Sequence, residues 1–494
     1  WSYNEVAPTP VAEPLPWRDD LTLEDRARVA AVTAAPTDWG VAQPFEINAG
    51  GAATARAPDN ANAFSFPSAN LSLADQQQFA LGNALFRKLW VTAPASTQAS
   101  DGLGPLYNAR ACQRCHLKDG RGHPPEHDGD EATSLLLRVA LPVTDIDQRE
   151  ALADGRIMTV PDPVYGGQIQ DVAVPGVPAE GKVQVRYTER DVSLKGGEVA
   201  TLRQPEFALV DLGYGPFADG ALLSARIAPQ MIGLGLLEAI HPEDIRRQAD
   251  PDDADGDGIS GRPQYVRDAD GNWTLGRFGW KAAAPTLRAQ SAGAFANDMG
   301  LSTSLHPVAA GECTAAQPDC LSAPSGVQAA QGPFEVTDEM LDLVTFYSSN
   351  LAVPERTGVD TTNVLQGKAL FHAAGCADCH TPAYVTRRDA AQEEFQFQLI
   401  WPYTDMLLHD LGDGLSSGRP VGFASGNEWR TTPLWGLGKT KMVSGHEQLL
   451  HDGRARNVLE AVLWHGGEAA AARDAVIDLS PDERAALLAF LYSL

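Results

Sequence analysis

The sequence lacks any apolar run as long as the roughly 18 residues that a membrane span needs, so we expect no membrane span. Positive charge is also scarce. The chain of 494 residues has 38 Lys and Arg against 64 Asp and Glu, a net charge of −26. This balance disfavours nucleic acid and anionic membrane surfaces as partners. The opening WSYNEVAPTP has neither Met nor a basic-then-apolar leader, which is typical of a mature or trimmed product.

Cysteine is rare as well, with six residues in the whole chain. Four of them lie in two short units, ACQRCH at 111–116 and GCADCH at 375–380. The other two, Cys313 and Cys320, bracket the segment CTAAQPDC, which could close a short disulfide loop; two unrelated free thiols are the alternative. A disulfide would place the chain in an oxidising compartment.

Three kinds of site use a Cys-x-x-Cys-His unit. A structural zinc site would leave the His idle, and a thioredoxin-like redox pair expects a βαβ context that neither unit shows. Covalent attachment of a c-type haem uses every residue, because the thiols bond the vinyl groups and the imidazole ligates the iron. We therefore predict two c-type haems. The predicted residues are Cys112, Cys115 and His116 in the first unit, and Cys376, Cys379 and His380 in the second.

The surroundings of the two units repeat. Amphipathic helices are predicted before each unit, at 71–90 and 362–375, and both contain Gly-x-Ala-Leu-Phe. Further helices are predicted at 336–351 and 479–494, the last opened by a capping box from Ser480 to Glu483. The pattern predicts a mainly α fold, with two cytochrome c-like haem domains in tandem and a small strand-bearing insertion in the first.

The domain boundaries follow from this repeat. Residues 1–70 are interpreted as an N-terminal extension, 71–353 as the first haem domain and 354–494 as the second. The strand-bearing insertion is placed at about 131–220, because SLLLRVALPV and KVQVRYTERDVSLKGG favour β-branched residues and alternation.

An acidic loop lies at 250–262, with the sequence DPDDADGDGISGR. Asp253, Asp255 and Asp257 alternate ahead of Gly258, a pattern that suits a hard cation such as Ca²⁺. The twelfth position is Gln264 instead of the Glu of an EF-hand. We predict a calcium-type loop that is not an EF-hand; a solvated acidic turn is the alternative.

Four longer stretches carry a family resemblance: DGLGPLYNARACQRCH, FGWKAAAPTLRAQSAGAFANDMG, PYTDMLLHDLGDGL and LLHDGRARNVLEAVLWHGGEA. From about residue 40 to the end, the chain resembles the bacterial di-haem c-type oxidoreductases, peroxidase-like proteins with the older label "thiol oxidoreductase". That family is related to di-haem cytochrome c peroxidase and to MauG. The resemblance implies a periplasmic protein with a peroxide-reactive haem, an electron-transfer haem and a calcium ion between the haem domains.

The resemblance also implies roles for particular residues around the second haem. Its distal ligand in the relatives lies fourteen residues after the His of HDG, where this chain has His465 after His451. The relatives have Met or Tyr at this position, so His465 would instead make the haem bis-His with His380. His451 would lie beside that haem. His409, in LLHDLG, matches a family position to which the sequence gives no role.

At the first haem, the resemblance places Trp280 between the haems as an electron relay. Gln290 would orient peroxide, and Asp298 would move a proton between its oxygens. The family pattern has Glu for this acid, two residues further from the Trp. Whether the first haem is five- or six-coordinate at rest is left open. His123 and His127 are candidate resting ligands, whereas His241 and His306 are interpreted as loop residues (both precede Pro).

The sequence thus indicates a periplasmic di-haem oxidoreductase that reduces hydrogen peroxide at the first haem, or uses it to oxidise a substrate. The second haem would relay electrons from a small redox protein. Two alternatives stay open. One is an electron-transfer protein without peroxidase activity, and the other is a di-haem oxygenase that acts on an organic substrate.

Overall fold

The computed structural model describes residues 13–97, 100–127, 130, 134–328, 330 and 332–494. Its regular elements are short, and most are separated by long loops. The α-helices are α1 Leu23–Thr33, α2 Leu73–Phe86, α3 Cys112–Cys115, α4 Ile146–Ala153, α5 Leu234–Glu238, α6 Pro242–Arg246, α7 Leu287–Met299, α8 Pro318–Leu321, α9 Asp338–Ser349, α10 Thr362–Ala373, α11 Thr440–Ser444, α12 Val458–Leu463, α13 Ala470–Ile477 and α14 Pro481–Ser493.

The strands pair two by two into seven small sheets within these ranges. They are β1 Val91–Thr92, β2 Asp101–Leu103, β3 Leu106–Tyr107, β4 Leu135–Ala140, β5 Val172–Ala173, β6 Lys182–Ser193, β7 Val199–Val210, β8 Leu222–Ile227, β9 Tyr265–Arg267, β10 Trp273–Leu275, β11 Tyr384–Val385, β12 Leu399–Ile400, β13 Leu408–Asp410 and β14 Glu428–Arg430. The longest pair, β6 and β7, is an antiparallel hairpin in continuous register from Lys182↔Val210 to Ser193↔Val199.

The prediction of a mainly α fold is wrong, because helix accounts for only 30% of the structure and strand for 16%. The prediction extended the helical pattern around the two CxxCH units to the whole chain. The 34 Pro and 46 Gly interrupt regular structure, so most of the chain between those helices forms loops and short strands. The strands between 135 and 227 are also more extensive than a small insertion; the first three residues of its predicted range lie outside the described residues.

The helices that flank each CxxCH unit pack in the same way. α2 lies against α9, and α10 lies against α14. A Cβ on Gly82 would lie 2.2 Å from the carbonyl oxygen of Leu343, and one on Gly367 would lie 2.0 Å from that of Ala486. Only glycine permits these crossings, which explains why both repeats begin with it. The predicted capping box at the start of α14 is confirmed, with Ser480 at the N-cap.

The buried residues form several clusters. One cluster joins α2, α7 and α9, and a larger one gathers around α10, α12 and α14. The N-terminal stretch is joined to the rest of the chain through Arg18, which is fully buried. Its guanidinium donates to the carbonyl of Val385 and to the carboxylate of Asp244. The first twelve residues of this predicted extension lie outside the described ranges. The division into two haem domains stays a prediction.

Two further features concern the chain as a whole. Cys313 and Cys320 are joined in a disulfide, with their Cα atoms 5.9 Å apart. Among the helices of the described ranges, none combines the length and the apolar character needed to cross a bilayer.

Candidate haem sites

Two imidazoles face one cavity beside the second CxxCH unit. His380 donates from Nδ1 to the carbonyl of Tyr403 at 2.9 Å, and His465 donates from Nδ1 to the carbonyl of Ala461 at 2.7 Å. Both line a cavity of about 300 Å³, which is called the second cavity below because it lies beside the second CxxCH unit. Burial lowers the pKa of both residues, that of His380 to about 4, so each ring is neutral and presents a free Nε2. This is the arrangement that metal-ligating histidines adopt.

The rest of this cavity suits a haem. Cys376 and Cys379 are in its wall, together with Leu and Val side chains from α12 and α14. Arg121 and Arg430 also line it. Burial lowers the pKa of both guanidiniums to about 10, and their side chains donate to backbone carbonyls. Buried cations held only by neutral acceptors favour an anion, and haem carries two carboxylates.

The first CxxCH unit presents a matching proximal imidazole. His116 donates from Nδ1 to the carbonyl of Pro229 at 2.8 Å, and burial lowers its pKa to about 4. The Phe86 ring, from the repeated Gly-x-Ala-Leu-Phe, lies 6.2 Å from the His116 ring. Phe371 takes the equivalent place 6.4 Å from His380. The two units therefore share a local geometry as well as a sequence pattern.

Asp298 lies close to the first pair of thiols. Burial and the charge of Asp298 both raise the pKa of Cys112, to about 12, and that of Cys115 as well. The backbone carbonyl of Asp298 accepts from the amides of Asn108 and Ala109, which ties the end of α7 to the segment before the cysteines. The carboxyl group of Asp298 therefore lies near the first candidate haem site.

A buried amide accompanies this carboxyl group. Gln168, with no exposed surface, donates from Nε2 to Oδ1 of Asp298 at 2.9 Å and to the side chain of Asn108 at 2.7 Å. Burial raises the pKa of Asp298, although Arg138 and the bond from Gln168 oppose the shift. The Oε1 atom of Gln168 is buried and has no partner among the described residues. This oxygen is therefore available to accept a hydrogen bond from a further group.

Gln290 is not brought to Asp298. Its side chain is exposed in the first turn of α7, eight residues before Asp298, which is about 12 Å along the helix axis. Its Oε1 lies near Gly279, the residue before Trp280. Its predicted role in orienting peroxide stays a prediction, and Gln168 is the amide that contacts the acid.

Trp280 lies beside the second site, next to a second indole that the sequence did not indicate. Its predicted place between the haems stays a prediction. Trp280 is 8% exposed, donates from Nε1 to the carbonyl of Ile227 and lines the second cavity. The His451 ring lies 6.4 Å from Trp280 and stacks on Trp429 at 3.7 Å with an interplanar angle of 12°. Burial lowers the pKa of His451 to about 3, so this ring is neutral. Trp280, His451 and Trp429 thus form one buried aromatic group.

The acidic loop reaches the same cavity. Asp250, Asp253 and Asp255 can bring one carboxylate oxygen each to within 4.8 Å of one another. Asp257 is outside that group; its carboxylate accepts from the amide of Ile259, and it lines the second cavity. The loop therefore joins Asp250 to two of the three predicted carboxylates, and calcium binding stays a prediction.

The other histidines have local partners. His123 bonds the carbonyl of Pro124, and its ring lies 5.1 Å from that of His446. His241 caps α6 and lies 3.5 Å from Asp19. His409 lines the second cavity. None of these contacts identifies a sixth ligand for the first haem.

The model of a family described as "Di-haem oxidoreductase, putative peroxidase" matches residues 45–494. No curated protein matches the sequence significantly.

Proposed function

Because the chain belongs to the di-haem oxidoreductase family, we propose that it is a periplasmic c-type enzyme that reduces hydrogen peroxide at the first haem. Electrons would enter from a small redox protein at the second haem. A bound haem supplies one-electron chemistry and, where its iron has an open position, a place for peroxide to bind. Peroxide reduction consumes two electrons and two protons and releases two molecules of water.

The observation that carries the proposal is a difference between the two sites. Two imidazoles line the second cavity, His380 and His465, and both are neutral and prepared for ligation. Among the described residues, the first site has the prepared imidazole of His116 and, near its thiols, the half-buried acid Asp298. An iron with two imidazole ligands suits electron transfer, whereas an acid beside an iron suits chemistry on a bound oxidant.

In this proposal Asp298 holds the proton that the departing oxygen of peroxide needs. Burial keeps its pKa above the ordinary value, which favours the protonated form, and Gln168 fixes the orientation of the carboxyl group. Electrons would pass between the haems by way of Trp280, and its buried indole in the lining of the second cavity supports this part of the proposal. The disulfide fits an oxidising compartment such as the periplasm.

The experiment compares Asp298→Asn with the control variant Asp482→Asn in the haem-loaded protein. General acid catalysis contributes typically 10²- to 10⁴-fold, so we expect Asp298→Asn to slow the reaction with peroxide by about that factor. Haem content and spectra before mixing should not change. Asp482→Asn, the same change at an exposed position of α14, should retain the wild-type rate. Stopped-flow absorbance after mixing with hydrogen peroxide measures both.

Three results would contradict the proposal. A wild-type protein whose spectra do not respond to peroxide at any redox level would indicate the pure electron carrier. Equal rates in Asp298→Asn and wild type would remove Asp298 from the reaction. Oxygen uptake with an organic substrate in place of peroxide would indicate the oxygenase.

A further inference from the structure

The most densely bonded carboxylate beside either site belongs to Glu468, three residues after His465. We propose that Asp405, His409 and Glu468 form a charged bridge that holds His465 at the second haem. In this proposal His409 and Glu468 are positioning residues for the distal ligand. The inference rests on the proposed function, in which His465 ligates the iron.

The centre of the bridge is an imidazole with a carboxylate at each nitrogen. His409 is 3% exposed; its Nε2 lies 2.7 Å from Oδ2 of Asp405, and its Nδ1 lies 2.6 Å from Oε2 of Glu468. Both nitrogens must carry a proton to satisfy both carboxylates, so the ring is an imidazolium. Burial alone would lower the pKa of His409, but the bonds to Asp405, Cys379 and Glu468 raise it to about 12.

The Glu468 carboxylate fastens three segments together. Besides His409, it accepts from the amide and hydroxyl of Ser260 at 3.1 and 2.7 Å, from the Gly261 amide at 3.4 Å and from the Asp410 amide at 3.1 Å. Burial alone would raise the pKa of Glu468, yet these bonds, led by that to His409, lower it to about 2. The turn that follows His465 is therefore anchored to β13 and to the acidic loop.

The local sequence shows why such an anchor is needed. His465 is followed by Gly466 and Gly467, and glycine pairs have the largest conformational freedom. Gly467 adopts φ +54°, and a Cβ there would lie 2.2 Å from the carbonyl oxygen of Asp410. The turn thus crosses β13 closely, but its two glycines offer no side chain that could hold it there. Glu468 is the first side chain after it that can hold it in place.

The other end of the bridge reaches the CxxCH unit. The amide of Asp405 donates to the carbonyl of Cys379 at 2.9 Å, and Nδ1 of His409 lies 3.6 Å from Sγ of Cys379. The bridge therefore runs from the segment that carries His380 to the turn that carries His465. Its charge-assisted bonds are of the strong kind, and three buried or half-buried charges exchange them.

The test uses two neutral variants of the haem-loaded protein, Glu468→Gln and His409→Gln, with the exposed Asp482→Asn of α14 as a matched charge control. We expect both bridge variants to convert part of the second haem's low-spin ferric signal to high-spin, measured by low-temperature electron paramagnetic resonance. Added imidazole should restore the low-spin signal, which shows that the protein is folded. The control should match wild type.

Reduction potentials separate positioning from charge. Glu468→Gln removes a negative charge and His409→Gln a positive one, so simple electrostatics would shift the potential in opposite directions without any high-spin signal. That result would overturn the proposal, as would two fully low-spin variants with wild-type potentials. If the two bridge variants do not fold, Ser260→Ala provides the test. It removes one hydrogen bond to Glu468 and no charge, so it should produce a high-spin fraction that is measurable but smaller than the one expected of the bridge variants.

His465→Ala distinguishes failure of the bridge from failure of the ligand assignment. If His465→Ala changes the second haem to high-spin while the bridge variants do not, only the bridge is refuted. If His465→Ala leaves the low-spin signal intact, His465 is not the ligand. The proposed function then fails in its description of the second haem.

Discussion

Replacing Gly367 by Ala tests the packing that places the second CxxCH unit. The added Cβ would lie 2.0 Å from the carbonyl oxygen of Ala486 and 2.7 Å from Cβ of Phe490. Because a backbone carbonyl cannot rotate away, α10 and α14 must separate by about 1.4 Å to regain the 3.4 Å of ordinary contact. Such overpacking costs typically 1–3 kcal/mol. The better helix propensity of Ala returns about 1 kcal/mol.

Since this clash is with a backbone atom, the cost lies at the upper end of that range, about 3 kcal/mol. We therefore expect Gly367→Ala to lower the free energy of unfolding by about 2 kcal/mol. Phe371 packs 5.3 Å from Phe490 and 6.4 Å from His380, so the absorption of the second haem should shift as well. Urea unfolding of the haem-loaded protein, followed by tryptophan fluorescence, gives the midpoint. The control is Gln366→Ala on the exposed face of α10. A Gly367→Ala variant as stable as wild type, or more stable, would refute the reasoning.

Three further predictions concern other parts of the molecule. Trp280→Phe, which loses the bond to the carbonyl of Ile227, should slow electron transfer between the haems by about tenfold or more, as measured by flash reduction; an unchanged rate would exclude the indole as the relay. Burial raises the pKa of Glu180 to about 8 from 4.5, so its contribution to stability is complete below pH 4.5 and is lost as the pH rises through 8. Glu180→Gln should remove this pH dependence of the free energy of unfolding, which amounts to on the order of 3–5 kcal/mol. Unfolding midpoints measured between pH 5 and 8 check it, and an unchanged pH dependence contradicts the assignment. Replacing both Cys313 and Cys320 by Ser opens a loop with a separation of 7 and should cost roughly 2–3 kcal/mol in the same assay, whereas no loss would show that the bridge is dispensable.

The sequence predicted those parts of the site that depend on local spacing. The CxxCH units need only six consecutive residues each, and the Gly-x-Ala-Leu-Phe helices show their pattern within one element. The structure adds the physical reason for the repeated glycine, since Gly82 and Gly367 each permit a close helix crossing. The capping box of α14 is equally local, and it was predicted correctly.

Contacts between distant segments left no such signal. Gln168 reaches Asp298 from 130 positions away, and Trp429 reaches His451 only in the folded chain. His409 stood out in the sequence without a role, because its partner Glu468 is 59 positions away. The fold class was wrong for a related reason. Loops that surround two prosthetic groups have no periodic pattern, so the helices at the units had too much influence on the interpretation.

The most direct measurement is low-temperature electron paramagnetic resonance of the haem-loaded protein, fully oxidised and after one electron equivalent. The account predicts a low-spin ferric signal that His465→Ala abolishes, from the second haem. It also predicts, at one or both redox levels, a high-spin ferric signal from the first haem that hydrogen peroxide removes. A low-spin signal alone at both levels, unaffected by peroxide, would mean that both irons are closed and that the protein is an electron carrier.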